Sequence, residues 1–446
     1  MAEKNNGIGL LSSVGIIAGG MIGSAIFSLS GLTMYQAGPA SVVSWILAAA
    51  VMLIYGLVCT ELSSIFPKSG GIYVFPAKAL GTKPKTGAFW GWFSTWGYIN
   101  SNIAAIAFSA IYVGTYLGAG FSLPDGIQIP LALAVIIICF ILNSINFKTT
   151  GKLNNILVGG LVVTLLIYIC VSFFGGEWNP DLMTPFFTQG ASGTTGFMAA
   201  VPTAMVGYGS IVAIAFLVSE VREPGKTVPK AVLIAMSIVV ALYCLVIVAT
   251  LGLISASFLA ENPGMQYIPL YAACFTKMSA YPWLAKVVSI AAVLALVTTI
   301  LVVMALTSRA VQAAASDELL PEVFSRNNKS GVPVFATALI AIPGAIAACF
   351  PDFTSTIVGL GALFGTISIV VNIVSLYSAR KNGLRKEGCF KAPGGQILPA
   401  IALIIIVACY IPDIINGGWK IWLYTIGWYV VGLLIFRFSK RYKRAE

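Results

Sequence analysis

The sequence predicts an all-α membrane protein with about twelve transmembrane helices. Three observations predict it. Of 446 residues, 58% are hydrophobic and only 9% are charged, whereas a water-soluble domain carries roughly 25% charged residues. Apolar runs of about 20 residues, each long enough to cross the hydrocarbon core, recur from end to end. Lysine and arginine concentrate in alternate connecting segments, as they do in the cytoplasmic loops of helical membrane proteins.

The spans follow in order. The first is 8–33 and the second 40–65; 86–119, 127–146 and 153–175 come next. A further five are 195–219, 229–257, 280–313, the short 333–350 and 354–380. Two more, 396–415 and 420–438, close the chain. The longest polar stretch, "SARKNGLRKEGCFKAPGG" (378–395), is a loop, so residues 1–446 are expected to form a single transmembrane domain. The first apolar run is too long for the core of a signal peptide and leads into more apolar chain, so no cleavable leader is expected.

Charge sets the orientation. With both termini cytoplasmic, the inner loops take Lys68, Lys83, Lys85, Lys148, Lys152, Arg222, Lys226, Arg309, Arg380, Lys386 and Lys391, and the tail adds Arg437, Lys440 and Arg441. The outer side keeps Lys277, Lys286 and Lys420, alongside Asp125, Glu177, Asp181, Glu261, Asp352 and Asp413. This asymmetry fits an even number of spans in a cell membrane. The net charge of +11 is then mostly topology. No nucleic-acid partner is expected, because no soluble surface exists to present a basic groove; the lipid bilayer is the expected partner. Nothing in the sequence sets an oligomeric state.

Composition also narrows the chemistry. The chain has no histidine, the commonest proton-transfer group and metal ligand. Its eight cysteines form no CxxC pair and fall mostly inside predicted helices, where they read as small buried hydrophobes. No metal or other cofactor is expected, and a membrane-embedded enzyme would have no candidate catalytic group.

Glycine marks where chemistry is expected. Positions 19–27 read "GGMIGSAIF", in the middle of the first span. Glycine costs about 1 kcal/mol against alanine in a helix. Unwound backbone at membrane depth is tolerated only where it lines a cavity or is buried in protein. Gly19, Gly20 and Gly23 permit a break, and Ser24 adds a hydroxyl. Close helix packing through Gly19 and Gly23 is the competing reading. The sixth span carries a second such place, "VGYGS" (206–210). Two glycine-interrupted helices at corresponding places in two halves point to a transporter site. The halves would be 8–175 and 195–380, with 396–438 appended.

Four stretches resemble the amino acid–polyamine–organocation (APC) superfamily, and the likeness runs over about residues 8–440. "GGMIGSAIF" resembles the helix-1 motif G-x-x-I-G-S-G-I-F. "ELSSIFPKSGGIYVF" (61–75) resembles the end of helix 2 and its P-K-S-G-G-x-Y loop. "VSEVREPGKTVPKA" (218–231) resembles the segment after helix 6, and "TSRAVQAAASDELLPEVFSRNNKSGVPVFA" (307–336) the connection from helix 8 to helix 9. The resemblance implies the leucine-transporter fold, two inverted five-helix repeats with helices 1 and 6 broken. It also implies transport of amino acids or their decarboxylated amines, by exchange or proton symport.

The expected substrate-binding residues are Ile22, Gly23, Ser24 and Ala25 in the first break, Tyr208, Gly209 and Ser210 in the second, and Asn102 in helix 3. Amides of Gly23–Ala25 would meet a substrate carboxylate, and freed carbonyls its ammonium. Tyr208 would cap the substrate, with plain packing as the alternative. Asn102 would face the site or act as interhelical glue, and Asn100 competes for the role. Thr298 and Thr299 read as hydroxyls bonded back to their own helix, or as part of an ion cage like that of sodium-coupled relatives. Glu61, Lys68, Arg309, Glu220 and Arg222 read as inner-gate ion pairs or as structural pairs. Pro67, Gly70 and Gly71 shape a tight loop before an amphipathic "IYVFPAKAL" (72–80).

Departures from the family pattern refine the expectation. Ala25 replaces a glycine. Leu161 stands where some relatives have a proton-coupling lysine. Val303 and Val212 stand where arginine–agmatine exchangers have a tryptophan and an acidic residue. With no ionisable residue near mid-membrane in the site helices, the expected solute is a neutral amino acid, exchanged or taken up. An amine or amino acid/amine antiporter and a proton-coupled symporter are the alternatives.

Overall fold

The computed structural model describes residues 7–440 apart from 69, 82, 125, 146, 176, 214–217, 219, 220 and 417, and describes only the backbone at 147–156 and 412–420. Among the described residues the chain is helical, with one isolated bridge between Ile8 and Val221. Among the described residues, eight helical stretches are long and apolar enough to cross a membrane, and two shorter apolar ones, Val334–Ala348 and Ile397–Ile411, accompany them. The protein is therefore a multi-pass helical membrane protein. Glu220, offered above as a gate or structural pair, and Asp125 and Arg441, used to set orientation, lie outside the described residues.

The first stretch is interrupted. Helix α1, Leu10–Met21, ends on Ile22, whose ψ of 80° leaves the helical region while its N–H still bonds the Ala18 carbonyl at 2.7 Å. The chain re-enters a helix through a wide turn at Ala25–Leu29 and continues as α2, Ser30–Ala37. Gly38, at φ 59°, closes α2 in a conformation that L side chains rarely adopt. Helix α3, Ser41–Ile65, then runs back.

Helix α4, Gly71–Ala79, corrects the sequence reading of an amphipathic segment. Ile72, Phe75 and Ala79 are all buried, and Lys78 alone is exposed. The segment is apolar on nearly every side, so it is covered by its neighbours instead of lying on an interface. Gly70, at φ 88°, makes the turn into it.

Helix α5, Pro84–Phe121, is the longest, and α6 (Gln128–Ile145) and α7 (Phe147–Phe174) follow. The next span is again in pieces. Short helices α8, Gly196–Ala199, and α9, Val201–Val206, give way at Gly207 and Tyr208 to a tighter turn, Gly209–Val212. Helix α10 is Pro224–Leu251; the short α11 (Ala256–Glu261) and α12 (Pro269–Lys277) lead into α13, Pro282–Ser316. Helices α14 (Val334–Ala348), α15 (Thr354–Lys381), α16 (Ile397–Asn416) and α17 (Gly418–Phe438) complete the chain. Long α5 packs along both α13 and α15, and this trio frames the interrupted segments.

Candidate functional site

A cavity of about 160 Å³ lies where the two interruptions meet α3, α5, α13 and α15. Five of the residues expected from sequence are on its wall: Ser24, Ala25, Asn102, Gly209 and Ser210. Val206 and Gly209 are exposed in the middle of the bundle because they face this space. Gly20 makes the close approach of the two interruptions possible: a Cβ there would sit 2.7 Å from the Ser210 Cβ.

Three expected residues are not on the wall. Ile22 is buried at 1% exposure. Gly23 faces α13, and a Cβ there would sit 2.3 Å from Thr299 Oγ1. Tyr208 is fully buried behind the site, edge-on to Trp45 at 5.7 Å between ring centroids and 5.4 Å from Tyr243. Its ring packs in an aromatic cluster and does not cap the cavity. Its hydroxyl has no hydrogen-bond partner among the described residues.

Thr299 and Tyr243 hold the interruptions in place. Ser24 N–H donates to Thr299 Oγ1 at 2.9 Å, and that hydroxyl donates to the Ala295 carbonyl at 3.0 Å. Thr299 thus makes the expected bond back to its own helix and a second one across to the break, while Thr298 bonds only back, to Ala295 O at 2.8 Å. One of the three amides expected to meet a carboxylate is therefore already satisfied by a side chain. The Tyr243 hydroxyl donates to the Met21 carbonyl, freed by the end of α1, and lies 3.5 Å from the Gly207 carbonyl of the other interruption. Buried carbonyls without such partners would each carry a desolvation cost.

The two asparagines of α5 divide the roles left open by sequence. Asn100 Nδ2 donates to the Tyr424 hydroxyl of α17 at 3.0 Å and is interhelical glue. Asn102 Nδ2 donates to Tyr98 O at 2.7 Å and its side chain lines the cavity. Sequence reasoning did not single out Tyr55, Tyr98, Ser101, Thr366 and Ser368, which also line it. Tyr98 carried a signal, since it lies four residues before Asn102 on one helix face. On α15 the signal was the pair Gly361 and Gly365, whose missing side chains let Ala104 and Ser101 of α5 approach.

Among the described residues, no lysine, arginine, aspartate or glutamate lines the cavity. Val212 and Val303 are on the wall as apolar groups, and Leu161 is fully buried. A buried ion pair lies at one end of the bundle instead. Glu61 of α3 is fully buried and paired with Arg380 of α15, Nε to Oε1 at 2.9 Å and Nη2 to Oε2 at 2.6 Å. Ala392 N–H adds a third bond to Glu61 Oε2 at 2.7 Å. Glu61 therefore pairs with a residue that the sequence reading had not offered it.

Comparison with known proteins adds to this geometry. The family model described as amino acid permease matches residues 8–434. The branched-chain amino acid permease BcaP of Bacillus subtilis (strain 168) is 26% identical, with 96% of this chain and 91% of that protein covered. The protein of the same name from Lactococcus lactis subsp. cremoris is also 26% identical, with 96% and 93% covered. Cationic amino acid transporter 7, chloroplastic, of Arabidopsis thaliana is 28% identical, with 79% of this chain and 62% of that protein covered. Matched family and relatives alike bear the names of transporters and not of enzymes.

Proposed function

The chain belongs to the amino acid permease family, and on that premise we propose that it carries a neutral, apolar amino acid across a cell membrane by alternating access. The observation that carries the proposal is the wall of the cavity, polar through hydroxyls and amides but free of charged side chains among the described residues. A cationic side chain would need a carboxylate partner there. A zwitterion with an apolar side chain needs donors for its carboxylate, acceptors for its ammonium, and an apolar remainder such as Met52, Phe108 and Val303 supply.

With Ser24 N–H taken by Thr299, we assign the carboxylate to the neighbouring amides of Gly23 and Ala25, helped by the Ser24 and Ser210 hydroxyls. The ammonium goes to carbonyls at the ends of α1 and α9. We read the helices as twelve spans in two inverted repeats, 8–175 and 195–380, with 396–438 appended and both termini cytoplasmic. The names of the two relatives covered over more than nine-tenths of their length favour a branched side chain.

Radiolabelled uptake into proteoliposomes tests this. Leucine, isoleucine and valine should compete at least about tenfold better than lysine or putrescine, a difference of 1.4 kcal/mol. Lysine or putrescine competing equally would overturn the neutral reading. Uptake that depends on amino acid trapped inside identifies exchange, and uptake into empty vesicles driven by a pH gradient identifies proton symport.

A further inference from the structure

A second cavity, about 530 Å³, lies away from the central one, between the ends of α3 and α15 and the loop 382–396. Its wall is made by Glu61, Arg380, Arg385, Lys386, Glu387, Lys391, Gly395 and Gln396. Glu61 and Arg380 form its floor and cancel each other's charge. Both Glu61 oxygens are occupied, by Arg380 and by Ala392 N–H. The buried carboxylate therefore has little left to offer the cations above it.

That leaves Arg385, Lys386 and Lys391 facing the space against a single carboxylate, Glu387. Arg385 donates to the Cys389 carbonyl at 3.2 Å and so shapes the loop. Lys386 and Lys391 have no ion-pair partner among the described residues, and both are exposed. Gly395 and Gln396, the two residues before the long helix α16, close the same wall. The loop joins two apolar helices, so the cavity sits at the membrane boundary, the depth at which lipid phosphates lie.

We propose that this cavity is a binding site for a phosphate-bearing anion, held by Lys386 and Lys391 above the neutralised Glu61–Arg380 floor. The phosphate of an anionic lipid headgroup and a free phosphate share this chemistry. Occupancy reaches further than the loop. Ala392 N–H bonds Glu61, and the Gly395 carbonyl accepts from Arg380 Nη1, so the loop is tied to the pair that joins α3 to α15. An anion that orders the loop thereby biases whichever arrangement of these two helices the pair favours. The proposal does not depend on which solute occupies the central cavity.

Thermal unfolding of the full chain in neutral detergent, titrated with ligand, is the test. The probes are inorganic phosphate, short-chain phosphatidylglycerol and short-chain phosphatidylcholine. The variants are K386Q/K391Q, which keeps Arg385 and its bond to Cys389, and K277Q/K286Q, which removes the same charge elsewhere. The expected result is a saturable upward shift with phosphatidylglycerol, phosphate or both, absent with phosphatidylcholine. The midpoint should rise at least fivefold in K386Q/K391Q and stay unchanged in K277Q/K286Q. A shift with phosphatidylglycerol alone identifies a lipid headgroup, and an equal shift with phosphate identifies a free anion. The proposal is overturned if phosphatidylcholine acts equally, if K386Q/K391Q titrates like the parent chain, or if both double variants lose the response together.

Discussion

At the scale of single residues, the arrangement depends on which backbone groups of the two interruptions find partners. Thr299 accepts the Ser24 N–H, and removing that acceptor leaves a buried donor unsatisfied, a loss of about 1–3 kcal/mol. Thr299→Val should therefore raise the transport KM about tenfold, while Thr299→Ser, which keeps the hydroxyl, should stay near the parent value. Gly23→Ala should impair transport strongly, because its Cβ would collide with Thr299 Oγ1 at 2.3 Å; Gly209→Ala, with nothing within 4 Å, should be tolerated. The two tyrosines behind the site should differ as sharply. Tyr243→Phe removes the donor to the Met21 carbonyl and should lower the unfolding temperature. Tyr208→Phe removes a hydroxyl that bonds nothing described and should be neutral or slightly stabilising. Glycines in mid-span made the interruptions legible in the sequence. The direction of Tyr208 and the capture of Ser24 N–H were not legible, because side chains at a break follow no helical period, and Thr299 lies 275 positions from Ser24.

At the scale of elements, most long helices were readable because their spans are apolar runs ended by glycine, proline or charge, whereas the short α11 and α12 had no counterpart in the sequence reading. Helix α15 was readable as a span yet not as a wall of the cavity. Its Thr366 and Ser368 look in sequence like hydroxyls bonded back to their own helix, and Ser368 Oγ does lie 3.2 Å from Phe364 O. What places α15 is its fit against α5, where Ser101 Oγ donates to the Gly361 carbonyl at 2.7 Å, and local pattern does not encode register across 260 residues. The tie between α3 and α15 gives the prediction at this scale. Glu61→Gln leaves Arg380, only 12% exposed, without its counter-charge and should cost about 3 kcal/mol, read as a large fall in unfolding temperature. Arg326→Met breaks an exposed pair with Glu322, 66% and 73% exposed, and should change stability by less than about 1 kcal/mol.

At the scale of the whole molecule, charge lies at the ends of the bundle and the middle is polar without charge. That division suits a carrier whose solute brings its own two opposite charges and an apolar side chain. Helix ends can meet the charges, and nothing else in the interior needs to be ionised. The placement of the charges in the sequence made this division legible, since the few there are, 9% of residues, fall in connecting segments and toward helix ends. The central claim, that the cavity between the interruptions is where the amino acid binds, is tested most directly by plugging it. Ala105 lines the cavity and is partly exposed to it, so Ala105→Phe fills space without displacing a hydrogen-bonding group. Equilibrium binding of radiolabelled leucine to the purified full chain should weaken by at least about tenfold in the variant, with the unfolding temperature retained. Unchanged leucine affinity in a folded Ala105→Phe protein would contradict the claim.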